Sequence, residues 1–262
     1  MNKKLFNSLL IFSLVNLAIF PSDLSAHTTE SQQSTREHSS IKFKQPKPPP
    51  DAPKVGRGRG GASRGKCSFT DSSAIALTPL LPASGWGLTA SESPTLWIYV
   101  AYPSGKWEEE TPLTAELSVE ERKTDTKLKP KGYPFELPKT SGIFSITLPH
   151  SLEPNNWYRW YLVTNCQTAN SSIGDGDVLQ IEGVLQRREL NGLNHKTESL
   201  TRSQLVSLYA KDRLWYDTLH QSILLHCDNS SDNATKNYWQ ALLKSDAVNL
   251  DEVSDRSVFC SD

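Results

Sequence analysis

The sequence predicts a mainly β protein: an antiparallel sandwich over residues 67–190, a small C-terminal helical layer over 191–248, and a disordered arm in front. Three observations predict it. Seven apolar or alternating segments of strand length succeed one another between Ser73 and Arg187, separated by turn-forming residues. After residue 199 the spacing of apolar residues changes from two to about 3.6. Between residues 27 and 66 large apolar side chains are scarce, so that stretch buries too little surface to offset its ordering entropy.

The first element is a targeting segment. Lys3 and Lys4 precede the apolar run "LFNSLLIFSLVNLAIF", and "DLSA" supplies small residues before His27. This order reads as a secretory signal over residues 1–26, cleaved after Ala26. The run is short for a ~20-residue span, and Asn7 and Asn16 interrupt it, which disfavours an uncleaved anchor. "LWIYVAY" has only strand length. The mature chain is therefore expected to be exported, periplasmic or extracellular, and not transmembrane.

Residues 27–66 form the second element, a Pro/Gly/Arg-rich linker. It holds nine Lys and Arg against three Asp and Glu, a net +6, whereas residues 67–262 carry −8. "KQPKPPPDAPK" favours an extended polyproline conformation. "VGRGRGGASRGKC" matches three short motifs at once. A dinucleotide loop at Gly56, Gly58 and Gly61 needs a buried strand before it, and "PPPDAPKV" excludes one. A hydrolase elbow at Ser63 fails for the same reason. An RNA-binding Arg-Gly segment would want interleaved aromatics, and none occurs between Val55 and Lys66. No nucleic acid is expected as a partner. A basic arm on an acidic body could still touch an anionic surface.

The sandwich segments are "SAIALTPLLP", "PTLWIYVAY", "LTAELSVEER", "YPFELP", "SGIFSITLP", "WYRWYLVTNC" and "VLQIEGVLQR". "SGIFSITLP" alternates Ile143, Ser145 and Thr147 against Phe144, Ile146 and Leu148, the pattern of a half-buried strand. In "LEPNNWY", Leu152, Pro154 and Tyr158 stand before a long strand with the spacing of a tyrosine corner. There the Tyr158 hydroxyl would bond to backbone upstream, which makes the sandwich immunoglobulin/fibronectin-III-like.

Thr201 with Gln204 forms a capping box opening the first helix, with Leu205, Leu208 and Tyr209 on one face. Trp215, Leu219 and Ile223 continue the apolar stripe in a second helix, and Tyr238, Trp239, Leu242 and Leu243 mark a third. Helices this few pack on the sandwich or on one another. Residues 249–262 read as a tail.

In an oxidising compartment the four cysteines read first as disulfides. They allow three pairings; Cys67 with Cys166 and Cys227 with Cys260 keeps each bridge within one structural unit. The first would close a loop of about 100 residues, adding roughly 4–5 kcal/mol. No C-x-x-C or H-E-x-x-H spacing occurs, and His195, His220 and His226 share no helix face at i, i+4. No metal and no cofactor are expected. "GDGD" at 174–177 reads as a hairpin loop, and Asn-x-Ser/Thr triplets start at 170, 229 and 233. Trp86, Trp97, Trp107, Trp157 and Trp160 crowd the sandwich. Some belong to the core, and Trp86, Trp107 and Trp157 are candidates for an exposed aromatic binding face.

Several stretches together resemble the domain-of-unknown-function family 928, exported proteins of cyanobacteria: "GASRGKC", "SPTLWIYVAY", "GIFSITLP", "YRWYLVTNC", "EGVLQR", "YAKDRLWYD" and Trp239 with Leu242 and Leu243. They cover roughly residues 56–245 and leave the tail with Cys260 outside. The resemblance implies a secretory signal, and no catalytic residues to carry over.

Export, a sandwich lacking a catalytic constellation and aromatic richness lead to one expectation. The chain reads as an uncharacterised non-catalytic binding or scaffold module of the cell envelope, recognising a protein or a glycan. An envelope hydrolase using carboxylates such as Glu108, Glu109, Asp175 or Asp177 is the first alternative. Anchoring of the basic arm to an anionic envelope polymer or lipid surface is the second.

Overall fold

The computed structural model describes residues 43–52, 67–70, 73–107, 110, 112–122, 126–127, 132–165, 178–189, 197–229 and 231–260. Among these residues ten strands precede four helices. The strands are β1 (Cys67–Thr70), β2 (Ser73–Pro79), β3 (Trp86–Thr89), β4 (Thr95–Ala101), β5 (Thr114–Glu121), β6 (Thr126–Lys127), β7 (Tyr133–Glu136), β8 (Gly142–Thr147), β9 (Trp157–Asn165) and β10 (Val178–Arg187). The helices are α1 (Arg202–Lys211), α2 (Trp215–Asp228), α3 (Asn233–Leu243) and α4 (Asp251–Ser254).

The strands form two sheets. The smaller runs β1-β2-β4-β8 and is antiparallel throughout; the larger runs β3-β10-β9-β5-β6, with β7 also paired to β5. The larger sheet is mixed, because β3 lies parallel to β10 with Trp86 opposite Val184. This corrects the expectation of a wholly antiparallel sandwich. After β2 the chain turns at Gly85, whose φ of 76° suits a residue without Cβ, and crosses to the other sheet. The Gly85 carbonyl then accepts from the Val184 N–H at 3.1 Å, which starts the parallel ladder. All four residues of β3 are buried, so no alternation marks the strand in the sequence.

Alternation does explain the core. Leu96, Ile98 and Val100 of β4 face Leu117, Trp160, Leu162 and Ile181 of the larger sheet in one cluster. Strand β8 departs from its expected pattern, since Ile143 and Phe144 are both buried. The cause is the C-terminal segment. The Ile143 N–H donates to the Ser257 carbonyl and the Phe259 N–H donates to the Ile143 carbonyl, both at 2.8 Å. Residues 257–259 thus cover the free edge of β8 and remove an unpaired strand edge. A Cβ on Gly142 would come within 2.6 Å of the Phe259 ring. The stretch read as a tail is part of the fold, and the Cys227–Cys260 disulfide, Cα atoms 5.5 Å apart, ties it to α2.

The helical layer packs through α2 on β3 of the larger sheet and β4 of the smaller. Thr201 and Gln204 form the capping box at α1. Its buried residues are Val206 and Ala210 rather than Leu205, Leu208 and Tyr209, which are half-buried. The α1 stripe is displaced by one position because α1 rests mainly on α2. On α2, Trp215, Leu219 and Ile223 are buried as the stripe requires. Its first turn is wedged into the sandwich: Trp215 Nε1 donates to the Leu80 carbonyl at 2.9 Å, and the Tyr216 hydroxyl donates to the Val184 carbonyl at 3.2 Å. Gly87 makes room, as a Cβ there would stand 2.9 Å from Trp215 Cβ.

The arm also departs from expectation. Residues 43–52 lie on the fold rather than in a disordered linker. Phe43 is buried with its ring 5.0 Å from that of Trp215, edge to face. Burying such a ring contributes about 1.5–3 kcal/mol. Pro46, Pro48, Pro49 and Pro50 preset their backbone and so reduce the entropy lost on docking.

Candidate functional site

Among the described residues, the docked arm and the α1–α2 turn cover the end of the larger sheet's outer face that bears Trp86 and Trp157, and the rest of that face stays open. It holds a cleft of about 530 Å³ lined by residues that include Glu116, Ser118, Glu120, Tyr161, Val163 and Gln180. The period of two places them there. On β5, Ala115, Leu117 and Val119 point into the core, which sends Glu116, Ser118 and Glu120 outward. On β9, Tyr158, Trp160 and Leu162 point inward, leaving Tyr161 and Val163 outside.

Register then assembles the site. Tyr161 stands between Ser118 on β5 and Glu182 on β10, and Val163 between Glu116 and Gln180. An apolar strip on β9 is therefore flanked on both sides by hydrogen-bonding side chains. Glu120 faces Arg159 across the same strands. Val178, 40 % exposed, extends the apolar surface along β10. Gly132 leaves room for Glu116: its φ is +66°, and a Cβ there would come within 2.5 Å of Glu116 Oε1.

The strip offers a ring face and an aliphatic step, while the flanks offer carboxylates, an amide and a hydroxyl. Such a surface can stack a planar or ring-shaped ligand and hydrogen-bond its edge groups. Its carboxylates disfavour a polyanion. The alternating segments "TAELSVEE" and "WYRWYLVT" hold these residues, and their outward sets are the signal that could have drawn attention to them.

The structure does not make an aromatic face of Trp86, Trp107 and Trp157. Their exposures are 3 %, 9 % and 6 %. Trp86 and Trp157 pack edge to face at 5.6 Å, and Trp107 lies 6.0 Å from Tyr102. Trp97 faces out of the smaller sheet but is covered by α2, its ring 6.1 Å from His220. The Tyr158 hydroxyl accepts from the Glu153 N–H at 2.8 Å, and burial raises the phenol's pKa.

Glu108, Glu109, Asp175, Asp177, His195 and Cys166 lie outside the described residues, as does the side chain of Cys67. The pairing of Cys67 with Cys166 is therefore outside them too. His220 and His226 sit against Trp97 and Trp239, and burial lowers both imidazole pKa values. Among the described residues no three His, Cys, Asp or Glu side chains are grouped to hold a metal ion. No helix among them is long and apolar enough to cross a membrane.

One carboxylate is strongly perturbed, and it lies away from the cleft. Asp217, in the first turn of α2, accepts from the Ala90 N–H at 3.0 Å. The residue as a whole is half-buried, but its carboxylate is turned into the β3–β4 loop. Desolvation raises its pKa to about 6, against the opposing hydrogen bonds from Ala90, Thr89 and Ser91. It joins helix to loop and meets no open surface in the cleft.

The sandwich, its helical layer and the tail that closes β8 correspond to a single family model, Domain of Unknown Function (DUF928), which matches residues 59–258. The chain belongs to the DUF928 family. The DUF928 match extends past Val248 to the segment that covers β8, so α4 and Val258 fall within it. It begins after the docked arm, at residue 59. No curated protein matches the chain.

Proposed function

We propose that this DUF928 protein is a non-catalytic binding module of the cell envelope that recognises a glycan on the outer face of its larger sheet. The observation that carries the reading is the Tyr161–Val163 strip between Glu116 and Ser118 on one side and Gln180 and Glu182 on the other. Sugar rings stack on aromatic faces while their hydroxyls take up paired carboxylate and amide groups. Because the flanks are acidic, neutral or amino-bearing polysaccharides fit better than acidic ones. The basic residues "KK" at the start and the small-residue exit at Ala26 support export.

The sheet orders support an immunoglobulin/fibronectin-III-like sandwich. Taking β2, β4 and β8 as strands A, B and E, and β10, β9, β5 and β7 as G, F, C and C′, gives the neighbours that class uses. The bond from Glu153 to Tyr158 then falls at the E–F corner.

A hydrolase reading finds less support. Glu116 and Glu120 are four residues apart on one strand, about 13 Å by strand rise. Glycosidase carboxylates stand roughly 5–9.5 Å apart. Lys44 and Lys47 are exposed on the docked arm and are available for secondary contact with an anionic surface.

The test is binding of exported protein to an array of envelope polysaccharides, followed by calorimetry on the ligand found. Tyr161→Ala and Gln180→Ala should each weaken binding by about tenfold while the urea midpoint stays put. Binding that ignores both substitutions, or none to any glycan, would overturn the reading.

A further inference from the structure

The arm docks in a groove built wholly from the body of the domain. Its walls are Trp86 and Leu88 of β3, Trp157 of β9, Val184 of β10 and Leu214 at the α1–α2 turn, which form one apolar cluster with Tyr209 at its margin. Ala52 packs against this cluster. The contacts are specific at both ends. Phe43 inserts beside Trp215. Gln45 Nε2 donates to the Ser84 hydroxyl and, at 3.0 Å, to the Trp86 carbonyl. Trp157 Nε1 donates to Asp51 Oδ2 at 2.9 Å. Between these anchors Lys47 and Pro48 are exposed.

Three features set this segment apart from a structural strand. It joins neither sheet, so the sheet hydrogen bonds do not depend on it. It lies before the family match, which begins at residue 59, whereas every wall of its groove lies inside the match. Fourteen residues, 53–66, separate it from β1, a tether that can span up to about 46 Å. A proline-rich segment held across tryptophans by an aromatic anchor and polar end contacts is how polyproline-type peptides are recognised in trans.

We infer that this groove is a peptide-recognition site for extended proline-rich segments with a Phe anchor and an acidic residue eight positions later, filled in cis by Phe43–Ala52. The tethered strap acts as an intramolecular competitor. A tether of this length gives an effective concentration of up to about the millimolar range, and a groove so occupied shows a free peptide only its open fraction. A partner peptide of this class gains access when the strap is displaced or weakened.

The test uses a fluorescein-labelled peptide of residues 41–54 and the full chain. Fluorescence anisotropy should show saturable binding to the Phe43→Ala/Asp51→Ala chain, and binding to the wild-type chain 10- to 100-fold weaker. The same peptide carrying Phe43→Ala should not bind either. Equal affinity for the two chains, or no binding to a double variant with native circular dichroism, would overturn the inference. Should the double variant not fold, a site-specific protease sequence is placed after Gly60 in the otherwise wild-type chain. After cleavage, excess labelled peptide should replace the strap on a sizing column. A strap that stays bound against excess peptide, or leaves without being replaced, refutes the site.

Discussion

Replacing Asp217 with Asn tests whether the α2–loop junction holds a carboxylate against its solvation. Burial outweighs the hydrogen bonds that Asp217 accepts and pushes its carboxyl up to about 6, above the ordinary carboxylate range. The folded state therefore binds this proton more tightly than the unfolded state. Below about pH 4 both states hold it and the group is neutral in effect. As pH rises from about 4 to 6 the unfolded chain releases its proton first, so unfolding is favoured and stability falls. A rise of that size corresponds to roughly 3 kcal/mol. Since the residue is only half-buried, about 2 kcal/mol is the expected cost at pH 7. Asn keeps an oxygen to accept from Ala90 and carries no charge. Urea unfolding of wild type and Asp217→Asn at pH 4.0, 5.0, 6.0 and 7.0 measures the difference directly, since the other titrating groups cancel. The variant should match wild type at pH 4 and exceed it by about 2 kcal/mol at pH 7. Parallel stability curves would show that the carboxylate is well solvated and would refute the reasoning.

Further predictions concern the frame. Tyr158→Phe leaves the Glu153 N–H without its acceptor, which should cost about 1–3 kcal/mol in urea unfolding. Gly183→Ala brings a Cβ within 2.5 Å of Trp160 Cζ2 and 2.6 Å of Leu81 Cδ1; overpacking of this kind should cost about 1–3 kcal/mol and perturb near-ultraviolet circular dichroism. Cys227→Ala/Cys260→Ala removes a bridge across a separation of 33 residues, and the chain-entropy estimate is a loss of about 3–4 kcal/mol. Non-reducing peptide mapping of the wild type should recover the Cys227 and Cys260 peptides as one species.

Legibility followed the strength of local patterning. β4, β5, β9 and β10 were readable because β-branched and aromatic residues occur at strand length between turns. β3 was not, since four buried residues carry no period and its partner β10 is almost a hundred positions away. The docked arm is not legible in the sequence for a related reason. Composition averages over a window, and one Phe, one Gln and one Asp among prolines and lysines decide the docking. The tryptophans misled because their number suggested a surface, while each filled a gap between layers that no local pattern describes. The cleft residues were present in the alternation of β5 and β9, but only strand register puts Glu116 beside Val163 and Ser118 beside Tyr161.

The coverings determine which surface remains for a ligand. On the smaller sheet, α2 lies over Trp97, Arg256 sits 5.6 Å above the Tyr99 ring, and Phe259 rests on Gly142. On the larger sheet, the strap and the α1–α2 turn cover the end bearing Trp86, Trp157 and Val184. Among the described residues, what stays open is the stretch from Tyr161 toward Val163 and Val178, bounded at one end by the strap's own anchor at Trp157. Trp157 and Tyr161 stand on the same strand and the same face, four residues apart. Strap and cleft are thus neighbours along β9, about 13 Å apart by strand rise. Displacing the strap would add the Trp157 ring to the open surface, with Arg159 between it and Tyr161 on the same face. It follows that a long glycan should bind the Phe43→Ala/Asp51→Ala chain more tightly than wild type, whereas a disaccharide confined to the Tyr161 strip should not tell them apart.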